Sequence, residues 1–349
     1  MSKLVWALVI VDRYNRPLLG ARISLNYSQF CNFACVFCHK EGNSLTYNID
    51  SDMDIRNAHE KSGGSQVLMS AEEITRIAKV LSGVGIVRFK LTGGEPMLRP
   101  DILKIVEGIS SLKPLDFGMT TNATRLRVMA GKLRDAGLQR VNISLHSLDR
   151  WRFKEITGVD RLDDVLGAVE QCVEVGLTPV KLNCVLLRDF NVDELDNFMD
   201  YAASFDGKVE LQLIELVKEG SAAEEGFFEK YYYSLSGIER QLESSSVKKV
   251  IRSLQNRPRY LTKRGVWVEL VRPTHNTMFC ANNDRIRVTP DGKFKPCLMR
   301  DDNLVDFLTP MRSGCTDEEL RRLLFEANMK REPYFKTSKC AVVQTGVER

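Results

Sequence analysis

The stretch Cys31-Asn32-Phe33-Ala34-Cys35-Val36-Phe37-Cys38 constrains this chain more than any other: three thiols stand within eight residues, at intervals of four and three. Thiolates are the ligands that iron–sulfur clusters take. Three close thiolates hold three irons of a cubane and leave the fourth without a protein ligand, and an open coordination position on a metal marks a site of chemistry. The competing reading at this point is structural zinc, which takes four nitrogen or sulfur ligands; His39, next to Cys38, could supply the fourth. Nine cysteines, an odd number with three in one tight group, argue for metal binding and against a disulfide framework in a chain of 349 residues.

The rest of the composition is that of a globular protein, with 43% hydrophobic and 28% charged residues. No apolar run approaches the roughly 20 residues of a membrane helix. The short apolar run Leu4 to Ile10 is cut off by Asp12 and Arg13, which reads as a first strand and not as a signal peptide. The expectation is therefore a cytoplasmic protein without a membrane partner. A net charge of +4 tolerates an anionic substrate without demanding nucleic acid.

From residue 21 to about residue 217, strand and helix patterns alternate with short connections. Strands are expected at Ala21 to Asn26, Ile86 to Leu91, Phe117 to Thr121, Arg140 to Leu145, Pro179 to Val185 and Val209 to Leu216. Helices are expected at Ser70 (a capping-box start) onward, Asp101 to Leu112, Thr124 to Ala136, Leu162 to Val175 and Val192 to Ser204. Such alternation implies right-handed crossovers and a parallel sheet. Six strands are fewer than a closed eight-fold barrel needs, so the fold class is α/β: an incomplete (β/α)6 barrel, resembling a TIM barrel but open on one side. Sites gather at the C-terminal ends of such strands, where the cysteine loop, Gly93-Gly94-Glu95-Pro96, Thr121, Ser144 and Lys181 all fall. The glycines let backbone approach a ligand closely, and a carboxylate at a strand end can pair with an ammonium group. The expected domains are the partial barrel (1–217), a C-terminal α+β domain closing the open side (218–335), and a polar tail (336–349). Residues 218 to 263 read as helical and charged with no clear sheet, and Tyr47 to Gln66 as an exposed loop.

With these residues in view, the chain resembles the radical S-adenosylmethionine (SAM) enzymes. Their Cys-x3-Cys-x2-Cys loop, with an aromatic before the last cysteine, matches residues 31 to 38, and their Gly-Gly-Glu-Pro strand end matches residues 93 to 96. Asp12-Arg13, Arg16-Pro17, Ala21-Arg22-Ile23-Ser24, Thr120-Thr121-Asn122, Asn142-Ile143-Ser144-Leu145, Lys181-Leu182-Asn183 and the span Phe279-Cys280 to Cys297-Leu298 narrow this to the GTP 3′,8-cyclase family of molybdenum cofactor biosynthesis, in its archaeal form. The resemblance implies a 4Fe–4S cluster on Cys31, Cys35 and Cys38, with SAM chelating its open iron. It implies SAM contacts from Phe37, Gly94, Ser144 and Val217, and GTP contacts from Arg22, Lys90, Thr121, Lys181, Arg285 and Arg287. Arg285 and Arg287 alternate and so share one face of a strand, and guanidinium forks suit phosphate. The implied reaction takes hydrogen from ribose C3′ and joins C3′ to guanine C8. An electron donor is implied as partner, a downstream cyclic pyranopterin synthase is a further expected partner, and a homodimer is left open.

The resemblance breaks near the C-terminus. The family's second cluster sits on Cys-x2-Cys-x13-Cys, and here the positions read Cys280, Asn283 and Cys297. Amide oxygen is a poor iron ligand beside thiolate. Three outcomes stay open: a substitute ligand (Asp284, His275, Cys315 or Cys340), a labile cluster, or none. Retained flanks and arginines favour a retained or labile one. The terminal double glycine of many relatives is also missing; the chain ends Gln344-Thr345-Gly346-Val347-Glu348-Arg349. The departures keep alive a radical SAM enzyme on another substrate, such as a peptide, and a non-catalytic paralogue that binds nucleotide or a cluster.

Overall fold

The computed structural model describes residues 9–42 and 68–336. Most of the expected Leu4 to Val11 strand, the Tyr47 to Gln66 loop, Cys340 and nearly all of the polar tail lie outside these residues. At the start of the described chain, Val11 forms only an isolated bridge to Pro17.

Six strands run parallel and in sequence order: β1 (Gly20–Ser24), β2 (Arg88–Thr92), β3 (Asp116–Thr121), β4 (Arg140–Ser144), β5 (Val180–Leu186) and β6 (Val209–Glu215). Between them run α1 (Ala71–Gly83), α2 (Ile102–Ser110), α3 (Leu126–Asp135), α4 (Arg150–Thr157), α5 (Leu162–Val175) and α6 (Leu195–Ala203). The capping box at the head of α1 is formed: Ser70 accepts from the Glu73 amide and Glu73 from the Ser70 amide. One helix of the series, α4, was not anticipated. It is polar, buries Phe153, Ile156 and Thr157, and exists because Asp149 caps the Arg152 amide and Gly158, at φ 77°, ends it.

Strand alternation builds the interior. Along β4, β5 and β6 the apolar Val141, Ile143, Leu182, Cys184, Leu211 and Leu213 pack outward under the helices. Their neighbours Asn142, Lys181, Asn183, Glu210 and Gln212 face a central cavity. A barrel interior lined this way cannot close on itself as an apolar core; it must bind its polar groups to one another or to a ligand.

The segment after residue 217 joins the same sheet. It contributes α7 (Phe227–Tyr231), α8 (Ser236–Ser245), β7 (Lys248–Arg252), β8 (Arg257–Leu261), β9 (Trp267–Val271), α9 (Thr277–Ala281), β10 (Arg285–Val288), β11 (Lys293–Lys295), β12 (Val305–Asp306), α10 (Leu308–Arg312) and α11 (Asp317–Met329). The order is β12-β11-β10-β1-β2-β3-β4-β5-β6-β9-β8-β7. Thus β10 extends the parallel set beside β1, β9 extends it beside β6, and antiparallel strands finish both edges. The hairpin β7–β8 corrects the reading of residues 218 to 263 as having no sheet. Its outer strand, Lys-Lys-Val-Ile-Arg, is an exposed edge and so lacks the apolar alternation that marks a half-buried strand.

That hairpin is held by a buried carboxylate. Glu269, 1% exposed, accepts from Lys181 Nζ at 2.7 Å, Arg252 Nη1 at 2.8 Å and Arg257 Nη1 at 3.1 Å, joining β5, β7, β8 and β9. Burial pushes its carboxyl up, and Lys181, Arg257 and Arg252 more than reverse this, holding it well below the ordinary value of 4.5. The stabilisation from such a depressed group is complete above the unfolded value and is lost as pH falls through the folded one. Glu269→Gln should cost about 3 kcal/mol, because it leaves Arg252 and Arg257 without their anion and Lys181 with Glu210 alone. The expected result is a lower urea midpoint at pH 7, with a difference from wild type that shrinks as pH is taken below 4.5.

Candidate functional site

Every residue singled out for the site lines one cavity of about 1050 Å³: the three clustered cysteines, Phe37, Gly94, Ser144, Val217, Arg22, Lys90, Thr121, Lys181, Arg285, Arg287, Cys280, Asn283 and Cys297. Thr121 and Ser144 end their strands, whereas Arg285 opens β10 and Lys181 lies at the start of β5.

At one end lies the cysteine loop that follows β1. The Ala34 amide donates to the Thr157 carbonyl (2.9 Å) and the Val36 amide to Ile156 (3.0 Å), so the frayed end of α4 anchors the loop. On its other side the Ser221 amide donates to the Cys38 carbonyl at 2.9 Å. Gly220, at φ 59°, is required there: a Cβ would stand 2.2 Å from that carbonyl oxygen. Burial pushes all three thiols up, Cys31 to about 11, and the neighbouring thiols add to the shift at Cys31 and Cys35. The three cysteines line the same cavity. Asn122 Nδ2 also donates to Cys31 Sγ at 3.8 Å. Three free thiols within one partly dry loop fit an iron–sulfur cluster, whose positive irons reverse the cost of ionising them. Among the described residues no three His, Cys, Asp or Glu side chains form a single-ion site. Phe37 packs edge-on against His146 at 4.6 Å; burial pulls the imidazole down to about 3, and its Nδ1 accepts from the Val185 amide, so the ring is neutral.

Gly93 and Gly94 let the end of β2 press against the chain before the cysteine loop. A Cβ on Gly94 would lie 2.3 Å from the Tyr27 carbonyl oxygen, and the Gly94 amide donates to Asn26. Glu95, read from sequence as a partner for an ammonium group, has its carboxylate filled by protein donors: Thr121 Oγ1 at 2.6 Å, the Asn122 amide at 2.7 Å and the Met97 amide at 3.0 Å. It ties β2 to β3. Thr121 spends its hydroxyl proton on Glu95 and accepts from the Ala123 amide.

The opposite wall is cationic. Arg22 pairs in register with Arg287 across β1–β10 and with Lys90 across β1–β2. Burial, together with Arg257 and Arg22, drives the Arg285 guanidinium well below its ordinary range, and no carboxylate lies within ion-pair reach of it among the described residues. Burial and the cations Arg140, Arg22 and Arg285 do the same to Lys90, which donates to Asn142. Buried N–H groups at Arg22 Nε, Arg257 Nε and Arg259 Nε have no acceptor. Lys181 differs, being bound to Glu269 at 2.7 Å and Glu210 at 3.4 Å. Arg252, Arg257 and Arg259, which also line the cavity, were missed in the sequence. Arg257 and Arg259 alternate as Arg285 and Arg287 do, but without a strand expected over β8 the pattern has no face to define.

Cys280 and Cys297 both line the cavity, and burial chiefly, with Cys280 adding to it, pushes the Cys297 thiol up. Asn283 lines the cavity beside them, with its Oδ1 buried and unpartnered. Its carbonyl accepts from Arg331, and Arg16 Nη1 donates to the Cys280 carbonyl at 2.8 Å, so both backbones are fixed. Of the substitute ligands considered, Asp284 pairs with Arg88, His275 stacks on Phe335, and Cys315 lies beside Arg76; none of them lines the cavity.

No helix among the described residues is long and apolar enough to cross a membrane. Residues 25–202 match the family described as "Radical SAM superfamily", and residues 209–337 match "Molybdenum Cofactor Synthesis C". The chain is 43% identical over 333 residues to the "Probable GTP 3′,8-cyclase" of Thermococcus kodakarensis, covering 94% of this chain and 100% of that protein. It is 39% identical to the protein of the same name from Pyrococcus horikoshii, covering 94% and 98%. Among solved structures, Streptococcus suis SuiB bound to S-adenosylmethionine superposes with a TM-score of 0.57 at 17% identity, over 82% of this chain and 62% of that chain, which is a likeness of fold. By these matches the chain belongs to the radical SAM superfamily and, within it, to the GTP 3′,8-cyclase family.

Proposed function

We propose that this protein is a GTP 3′,8-cyclase that converts GTP to (8S)-3′,8-cyclo-7,8-dihydro-GTP in molybdenum or tungsten cofactor biosynthesis. The observation that carries the reading is a single cavity lined both by the three clustered thiols and by guanidiniums that the protein's own carboxylates do not satisfy. A triphosphate supplies the missing anion, and several guanidiniums with free N–H groups hold it by forks. Cys31, Cys35 and Cys38 would hold a 4Fe–4S cluster, which together with SAM would supply the radical chemistry that hydrogen removal at ribose C3′ requires.

The chain's residues bind and orient. Phe37, Gly94, Ser144 and Val217 flank the thiol end and would enclose SAM. Arg22, Arg285, Arg287 and Lys90 would hold the phosphates, and the cavity walls keep water from the reacting carbon. Thr121 would act from the strand end that Glu95 fixes, and Lys181 from its ion-pair network. Cys280 and Cys297 would hold a second 4Fe–4S cluster, with the unpartnered Oδ1 of Asn283 at the third position. An external one-electron donor is required. A consumer of the cyclised nucleotide, acting as a cyclic pyranopterin synthase, would follow, and the enzyme would work in the cytoplasm.

Anaerobically reconstituted protein given SAM, GTP and a reductant should release 5′-deoxyadenosine together with a cyclised guanosine product. 5′-Deoxyadenosine without that product contradicts the assignment. Arg285→Ala should weaken GTP binding in calorimetry by roughly 10- to 100-fold, as expected for loss of a charged hydrogen-bond partner. Iron per chain should stand at about eight and fall to about four in Cys280→Ala, the stoichiometry of two 4Fe–4S clusters. A wild-type value of about four would leave Cys280 and Cys297 without iron.

A further inference from the structure

Glu41 stands three residues past Cys38, and nothing in the sequence marked it. Its carboxylate turns back into the cavity and meets three strands. Oε2 accepts from Arg287 Nη1 of β10 at 2.6 Å and lies 3.7 Å from Arg22 Nη1 of β1; Oε1 accepts from Thr92 Oγ1 at the end of β2 at 2.7 Å. The chain takes up two successive left-handed residues to put it there, Lys40 and Glu41, both at φ 52°. Neither is glycine, so the backbone conformation is costly and has to be held by what the side chain gains. Behind the turn, the Gly220–Ser221 contact on Cys38 fixes where it starts.

The contacts resolve a conflict built into the sheet. Arg22 and Arg287 are direct neighbours on adjacent parallel strands, two like charges side by side on the cavity wall. One carboxylate between them holds both. Burial pushes Glu41 up, and Arg22 and Arg287 overcome that and hold its carboxyl at about 2, so it is an anion at any working pH. The groups facing it are Arg22, Arg287, Thr92 and the buried neutral-leaning His39. Arg22 still has its Nε unpartnered, leaving an N–H for a further acceptor.

On the reading that the cavity takes a nucleoside triphosphate, we propose that Glu41 is a positioning residue, which holds Arg22 and Arg287 in register for the phosphates and ties that end of the cavity to the loop of the three thiols. Its negative charge opposes phosphate binding. What it provides is orientation, which serves turnover where tighter ground-state binding does not.

The test uses reconstituted full-length protein and two variants, Glu41→Gln and Glu41→Asp. Inorganic tripolyphosphate binding is measured by calorimetry, alongside iron per chain and the ratio of 5′-deoxyadenosine to cyclised guanosine. Glu41→Gln should bind tripolyphosphate more tightly, on the order of tenfold, as one opposing charge is removed at short range. The same variant should make several times more 5′-deoxyadenosine per product, with iron unchanged. Glu41→Asp keeps the charge and loses the reach, so tripolyphosphate affinity should stay near wild type while the ratio still rises. A general structural lesion would weaken binding instead. The proposal is overturned if Glu41→Gln binds tripolyphosphate no more tightly than wild type, if its product ratio is unchanged, or if it loses iron. The tripolyphosphate arm stands apart from the substrate assignment: wild-type protein that binds tripolyphosphate and makes no cyclised product would refute the cyclase and leave the affinity arm to decide on Glu41.

Discussion

Buried positive charge governs this structure. The inward face of the sheet carries Arg22, Lys90, Lys181, Arg257, Arg285 and Arg287, and a buried guanidinium is tolerated only with an anion beside it. Glu269 and Glu210 answer Lys181 and the β7–β8 arginines, and Glu41 answers Arg22 and Arg287. Arg285 and Lys90 are left without a carboxylate partner among the described residues, and Arg22, Arg257 and Arg259 each keep an unpartnered N–H. The fold thus stops short of anions inside its own cavity, which is the state of a site that expects an anionic ligand.

The same sheet brings the thiols to that wall. Because β1 neighbours both β2 and β10, the loop leaving β1 starts beside the strands that carry Lys90, Arg285 and Arg287. Gly93 and Gly94 permit the close passage, and Glu95 locks β2 to β3 under it. Radical chemistry needs a source and a target held together with water kept out. Here one loop, running from Cys31 to Glu41, carries the three thiols and reaches Arg22 and Arg287 on the cationic wall.

Much of this was legible in the sequence, because it rests on local patterns. The thiol spacing, the Gly-Gly-Glu-Pro strand end, the six strands and the alternation of Arg285 with Arg287 all follow from periods of two or from short motifs. What escaped depends on partners distant in the chain. Glu95 looks like a free carboxylate until Thr121, twenty-six positions on, is seen to fill it. The hairpin β7–β8 hides because its outer strand is exposed and charged, and Arg257 and Arg259 hide with it. Glu41 reads as one charge in a polar loop; only the β1–β10 pairing, which joins residues more than 250 positions apart, explains its place. Asn283 was visible as a departure, but that its oxygen is buried and unsatisfied required the structure.

The account as a whole makes one atom-level claim: the radical made at the thiol end reaches C3′ of a GTP held by the cationic wall. GTP carrying deuterium at C3′ tests it most directly. Turnover with unlabelled SAM should give 5′-deoxyadenosine that has gained one deuterium, in step with the cyclised product. 5′-Deoxyadenosine free of deuterium would contradict the account, since the hydrogen would then come from elsewhere.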